Sequence, residues 1–136
     1  VLIVEDDALE LGLALRALQS TGTQVEVARD GAEALDRLLP PNVTTLPLLS
    51  FVLLDLKLPK VGGLDVVRRL KRDPVSAAIP LVVFSSSAEA RDLALCYQAG
   101  ANSYIVKPVD FDQLLAALAA AAAYWCGINR TRPVLP

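Results

Sequence analysis

Phe51-Val52-Leu53-Leu54-Asp55-Leu56-Lys57-Leu58-Pro59 is an apolar run stopped by a carboxylate and then by a proline. A run this short reads as a buried strand that delivers an acid to its tip. The pattern recurs along the chain. Val1-Leu2-Ile3-Val4 ends in Glu5-Asp6-Asp7, Leu81-Val82-Val83-Phe84 ends in Ser85, and Tyr104-Ile105-Val106 ends in Lys107-Pro108. Acids, a hydroxyl and an amine thus stand at the carboxyl ends of hydrophobic strands. In an open parallel α/β sheet that edge is where ligands bind.

Strands are expected near residues 1–4, 24–28, 51–55, 80–84 and 103–106, each followed by helical spacing. Asp7-Ala8-Leu9-Glu10 resembles a capping box that opens a helix with Leu9, Leu11, Leu13, Leu15 and Leu18 at inward spacings. Asp30-Gly31-Ala32-Glu33 repeats the signal, and Gly62-Gly63 precedes Leu64, Val67 and Leu70. Ser86-Ser87-Ala88-Glu89 opens a fourth helix that Gly100 can close in a left-handed conformation. Asp110-Phe111-Asp112-Gln113 opens a fifth, with Phe111, Leu114, Leu115, Leu118 and Ala122 on one stripe. Strict β-α alternation implies right-handed crossovers and a five-stranded parallel, doubly wound sheet with five helices. The proline-rich stretch Pro40 to Pro47 reads as a loop, and the tail from Gly127 to Pro136 has no apolar periodicity.

A chain of 136 residues fits one domain, and 54% hydrophobic residues predict a well-filled core. The densest apolar region, Leu114 to Trp125, is shorter than a membrane span and reads as a packed helix. Methionine is absent, so translation is expected to start upstream of Val1. The net charge is −2, and the cluster Arg68-Arg69-Leu70-Lys71-Arg72 reads first as the solvated face of a helix. Cys96 and Cys126 are far apart without paired spacing, which fits a reducing cytosol. There is no histidine, which excludes a Ser-His-Asp triad, a Cys-His pair and an imidazole metal site within the chain.

If Glu5, Asp6 and Asp55 share a pocket with Lys107, three carboxylates face one ammonium and the pocket is anionic. Like charges held within a few ångströms repel, so such a pocket favours a cation. Oxygen-only donors favour a hard ion such as Mg²⁺. With that charge offset, an Asp can act as a nucleophile toward phosphorus while Lys107 and the Ser85 hydroxyl hold phosphoryl oxygens. Plainer readings stand beside this one. Asp7 reads first as a helix cap, and Asp6 or Asp55 taken alone could be a cap or a surface acid. Ser86 reads first as the start of the fourth helix, and Tyr104 as packing. Joint placement at successive strand ends favours the shared site.

Along residues 1–125 the chain resembles the receiver domain of bacterial two-component response regulators. The motifs that carry the resemblance are Val4-Glu5-Asp6-Asp7, Leu53-Leu54-Asp55-Leu56-Lys57-Leu58-Pro59 with Gly62-Gly63, Val83-Phe84-Ser85, and Ala99-Gly100-Ala101 through Lys107-Pro108. The resemblance implies strand order 2-1-3-4-5. It implies that Asp55 accepts the phosphoryl group from a phosphohistidine on a sensor kinase. It also implies Mg²⁺ bound by Asp6, Asp55 and the backbone carbonyl of Lys57, with Glu5 acting through a water. Ser85 would be the switch hydroxyl, Lys107 the lysine on the phosphoryl group, and Tyr104 the switch aromatic. Three departures are Glu5 where Asp is commoner, Ser85 where Thr is commoner, and a longer 40–50 loop. From placement, Lys57 and Ser87 would flank the path of the hydrolytic water.

The segment Ser103 to Gln113, with Ala123-Tyr124-Trp125, looks like the stand-alone regulators paired with bacterial phytochrome kinases. That narrower resemblance implies a receiver over 1–126 and a C-terminal extension over 127–136. It also implies a cytoplasmic homodimer signalling through a surface near Tyr97, Tyr104, Tyr124 and Trp125, with no direct contact to nucleic acid or membrane. The alternative is a receiver module of a longer regulator. A phosphatase of the haloacid-dehalogenase type would need an Asp two residues after the nucleophile, where this chain has Lys57. A receiver that binds partners without phosphorylation is disfavoured by the intact acids and lysine. No separate substrate is expected to be turned over.

Overall fold

A computed structural model describes residues 1–39 and 49–133. The expected loop at Pro40 to Pro47 and the last three residues of the tail lie outside the described residues. The elements alternate as expected: β1 (Leu2–Val4), α1 (Ala8–Gln19), β2 (Glu26–Ala28), α2 (Gly31–Leu38), β3 (Val52–Leu54), α3 (Gly63–Arg72), β4 (Leu81–Ser85), α4 (Ala90–Ala99), β5 (Ser103–Val106) and α5 (Phe111–Ala122). All strand pairs are parallel, in the order β2-β1-β3-β4-β5. This is the doubly wound, flavodoxin-like sheet read from the sequence.

Because successive strand residues point to opposite faces, each strand feeds two cores. Leu2, Val4, Val52, Leu54, Leu81 and Val83 pack with residues of α2, α3 and α4 on one face. Ile3, Phe51, Leu53, Val82 and Phe84 pack with α1 and α5 on the other. Continuous apolar runs, rather than alternating ones, are what a sheet covered on both faces requires. The register sets Val4 beside Leu54 and Leu54 beside Val83, so Glu5, Asp55 and the end of β4 emerge along one edge.

Three helices start on acids that satisfy free backbone N–H groups. Asp7 accepts from Leu9 and Glu10, Asp30 from Glu33, and Asp110 from Gln113, each at 2.8–3.0 Å. Gly100 closes α4 with φ of 108°, as expected of a left-handed cap.

Four expectations need correction. The fourth helix begins at Ala90 rather than at Ser86, because Ser86 and Ser87 belong to an extended turn and Ser87 spends its hydroxyl on Asp92 (2.5 Å). Leu9 and Phe111, placed on inward stripes by spacing alone, are exposed, since both lie in first turns that overhang the sheet edge. Lys71 departs from the solvated face assigned to its cluster. Its ammonium donates to the carbonyls of Ala77 and Ile79 and to Asn102 Oδ1 at 2.8–3.1 Å, tying α3 to the approaches of β4 and β5. Finally, α5 continues through a π-helical turn at Ala123–Ile128, where Trp125 packs on Phe51. The apolar helix therefore runs from Phe111 to Ile128, longer than the run read from sequence and long and apolar enough to span a membrane. Only 17% of it is buried, yet Leu118, Ala121 and Ala122 are packed in the fold.

Gly63 lets α3 close on the loop after β3. A Cβ there would lie 2.5 Å from the Asp55 carbonyl oxygen and 2.6 Å from Leu56 Cα, both backbone atoms that cannot turn aside. Gly63→Ala is expected to cost about 1–3 kcal/mol by overpacking, read as a lower denaturation midpoint. An unchanged midpoint would show that α3 slides without penalty.

Candidate functional site

Five segments converge at the carboxyl edge of the sheet. Glu5 follows β1 directly and is 5% exposed, and Asp55 follows β3 and is 8% exposed. The Asp55 amide donates to the Val4 carbonyl (3.1 Å), which ties the two acids together through the backbone. Asp6 is exposed beside them. Glu5, Asp6 and Asp55 each offer a carboxylate oxygen within 4.8 Å of the others. The Lys57 amide approaches Asp55 Oδ1 at 3.4 Å, so residues 55–57 fold back over the acid.

Lys107 follows β5 and is held in place by its backbone N–H, which donates a hydrogen bond to the Ser85 carbonyl (2.7 Å). Its side chain is 9% exposed and lies over the Phe84 ring, 5.6 Å from the centroid. The ammonium meets Glu5 at 3.2 Å, Asp55 at 3.6 Å and Glu10 at 2.5 Å. Burial pulls the Lys107 ammonium toward a lower pKa. The Glu10 hydrogen bond and the charges of Asp55 and Glu5 outweigh burial and hold it above the usual lysine value. Glu5 behaves oppositely. Burial first, and then the charge of Asp55, push its carboxyl up to about 7 against the lowering effect of Lys107.

Ser85 is buried at the end of β4, and its Oγ accepts from the Ser87 amide (3.2 Å). Tyr104 is half-buried, and among the described residues no hydrogen bond joins it to Ser85. Its hydroxyl donates to the Ser87 carbonyl (2.8 Å), so the two residues meet on opposite sides of the Ser87 backbone. Exposed Lys57 lines one cleft with Ser85, Ser87 and Asp92, between α3 and α4. A second cavity, about 330 Å³, opens on Glu5, Asp55 and Lys107 and is walled by Leu13, Leu53 and Leu118.

The strand-end residues therefore come together as the sequence placed them, with Tyr104 one backbone unit removed. Two partners were not anticipated. Glu10 reads from sequence as the return arm of a capping box, but its carboxylate goes to Lys107 instead. The Asp7 amide is bonded by Glu5 Oε1 (3.2 Å). Asp92, three residues into α4, carries no sequence signal, because the late start of that helix is what brings it to Ser87.

The raised carboxyl of Glu5 has a signed consequence for stability. A group whose folded pKa exceeds its unfolded value stabilises the fold below the unfolded pKa, and that contribution is lost as pH rises through about 7. In metal-free protein, Glu5→Gln is expected to raise the melting temperature at pH 8 and to leave it close to the parent near pH 4. Equal shifts at both pH values would show that Glu5 is not held protonated by burial.

A family model for the response regulator receiver domain matches residues 1–119. The chain is 39% identical over 135 residues to the probable methanogenesis regulatory protein FilR2 of Methanothrix harundinacea, covering 96% of this chain and 86% of that one. It is 34% identical to the DNA-binding dual master transcriptional regulator RpaA of Synechocystis, covering 88% of this chain but only 47% of that longer one. A probable transcriptional regulatory protein of Picosynechococcus and the DNA-binding response regulator MtrA of Mycolicibacterium paratuberculosis, which it also matches, are likewise about twice its length. Among solved structures, the phosphorylated cyanobacterial phytochrome response regulator RcpA superposes with a TM-score of 0.87 at 30% identity over 97% of this chain and 96% of that one. The Mn²⁺-bound response regulator Rcp1 gives 0.85 at 27%, over 97% of each chain. The bacteriophytochrome response regulator RtBRR gives 0.71 at 40%, over 97% and 82%. With the strand order, the acid edge and these matches in agreement, the chain belongs to the receiver domain family of two-component response regulators.

Proposed function

We propose that this receiver is a phosphorylation switch in which Asp55 accepts a phosphoryl group from the phosphohistidine of a sensor histidine kinase. The carrying observation is the convergence of Asp55, Glu5 and the Lys107 ammonium within 3.6 Å contacts at the strand edge. A carboxylate oxygen of Asp55 attacks phosphorus as the P–N bond to the donor imidazole breaks, and the electron pair returns to that nitrogen. Lys107 and the Ser85 hydroxyl receive the phosphoryl oxygens, holding charge where it develops. The oxygen-only trio of Glu5, Asp6 and Asp55 fits a hard divalent cation, assigned here to Mg²⁺ with the Lys57 carbonyl as a further ligand. When bound, that ion offsets the charge of the acids and of the phosphoryl oxygens.

Ser85 moving toward the phosphoryl group pulls on the turn that Tyr104 also grips, and this biases the face formed by α4, β5 and α5. Tyr97, Val106, Phe111 and Tyr124 are exposed there, which supports a homodimer through that face. The likeness to RcpA and RtBRR supports a phytochrome-type kinase as the input. We assign residues 1–126 to a cytoplasmic receiver and 127–136 to an extension, with self-phosphorylation and self-dephosphorylation as its only chemistry. The length of RpaA supports a second reading, a receiver module that works beside an output domain.

Intact mass after incubation with Mg²⁺ and acetyl phosphate tests the acceptor. The parent is expected to gain one phosphoryl group and Asp55→Asn none; a gain in both, or in neither, rejects Asp55. Lys57 and Ser87 line one cleft beside the acceptor, so Ser87→Ala is expected to change the dephosphorylation rate several-fold. An unchanged rate would remove Ser87 from the water's path.

A further inference from the structure

α1 and α2 open with the same pattern, Asp-x-x-Glu, yet their glutamates do different things. In α2, Glu33 folds back to the backbone and accepts from the Arg29 amide at 3.0 Å. In α1 the amide of the cap residue itself, Asp7, donates to Glu5, and Glu10 turns to the Lys107 ammonium. Its 2.5 Å contact is shorter than those of Glu5 and Asp55. Glu10 is also the accessible member of the set, with its side chain 41% exposed against 7% for Glu5 and 10% for Asp55.

An ammonium has three N–H donors. With Glu5 and Glu10 taking two at 3.2 and 2.5 Å, one remains for the Asp55 side, where Nζ stands 3.6 Å from Oδ2. We propose that Glu10 is a positioning residue that fixes the Lys107 ammonium and, through its own negative charge, limits how tightly the pocket holds a phosphoryl group on Asp55. The inference rests on the phosphoacceptor reading above. A phosphoryl group brings more negative charge to the lysine than the Asp55 carboxylate alone, and an anion already bonded to that lysine opposes it. The plainer role, a first-turn acid that complements the helix dipole, would affect only stability.

Beryllium fluoride, a phosphoryl stand-in that needs no phosphodonor, separates the two roles when titrated calorimetrically at saturating Mg²⁺. Glu10→Gln keeps an oxygen acceptor for Lys107 and removes the charge. It is expected to bind beryllium fluoride about three- to tenfold more tightly than the parent, the effect being modest because the site is partly solvated. Glu10→Asp keeps the charge and should stay near the parent, which a merely steric role would not predict. Glu10→Gln affinity equal to or weaker than the parent's, with or without a lower melting temperature, overturns the proposal. Failure of the folded parent to bind beryllium fluoride at all would instead remove the phosphoacceptor reading, and this inference with it.

Discussion

One ammonium offsets three carboxylates at the carboxyl edge of this sheet, and most of the surrounding construction serves that balance. Lys107 is carried there by β5, pinned through its amide to Ser85 and shielded by the Phe84 ring. Glu5 and Asp55 are carried there by β1 and β3, whose register fixes them side by side. Taking carboxylates out of water costs several kcal/mol each unless they are paired, so neither acid would tolerate this depth without the lysine. Even with it, burial keeps Glu5 reluctant to ionise. The edge is therefore strained electrostatically although its hydrogen bonds are complete: no buried side-chain oxygen or nitrogen among the described residues lacks a partner. Chemistry that brings positive charge relieves that strain, and chemistry that brings negative charge must work against it.

The turn after β4 converts events at this edge into displacement elsewhere. Ser85 and Tyr104 share no hydrogen bond, yet each bonds the backbone of Ser87, one at the amide and one at the carbonyl. Ser87 in turn bonds Asp92 on α4, and the Tyr104 amide bonds the Tyr97 hydroxyl on the same helix. Movement of one short turn thus reaches α4 by two routes. Few buried apolar contacts hold this helix, since Cys96 is its only fully buried residue, so its position is easily biased.

Apolar runs ending in acid, acid, hydroxyl and amine marked four of the five strands and the groups that meet at their tips, because a strand tip in a doubly covered sheet has little freedom; the strand order followed from the family resemblance. What the residues did not disclose lies where a side chain chooses among several local partners. Glu10 looked like a capping arm because the pattern is the same as at Glu33, but the Asp7 amide goes to Glu5 and the Glu10 carboxylate to Lys107. Ser86 looked like a helix start because serine suits that role, but the turn was already claimed by Ser87 and Asp92. Leu9 and Phe111 had inward spacing but lie beyond the sheet that would have covered them. Lys71 sat in a run of cations, yet three tertiary acceptors were waiting for it.

Trp125 packs against Phe51, the residue that leads into β3 from the edge opposite Asp55. It is also the only tryptophan in the chain. Its ultraviolet emission is therefore an intrinsic optical probe of the far end of the molecule, separated from the acids by the length of one strand. A quenching or red shift on loading the pocket would not report ligand contact. It would report sliding of β3 along its neighbours, or undocking of the aromatic turn that closes α5.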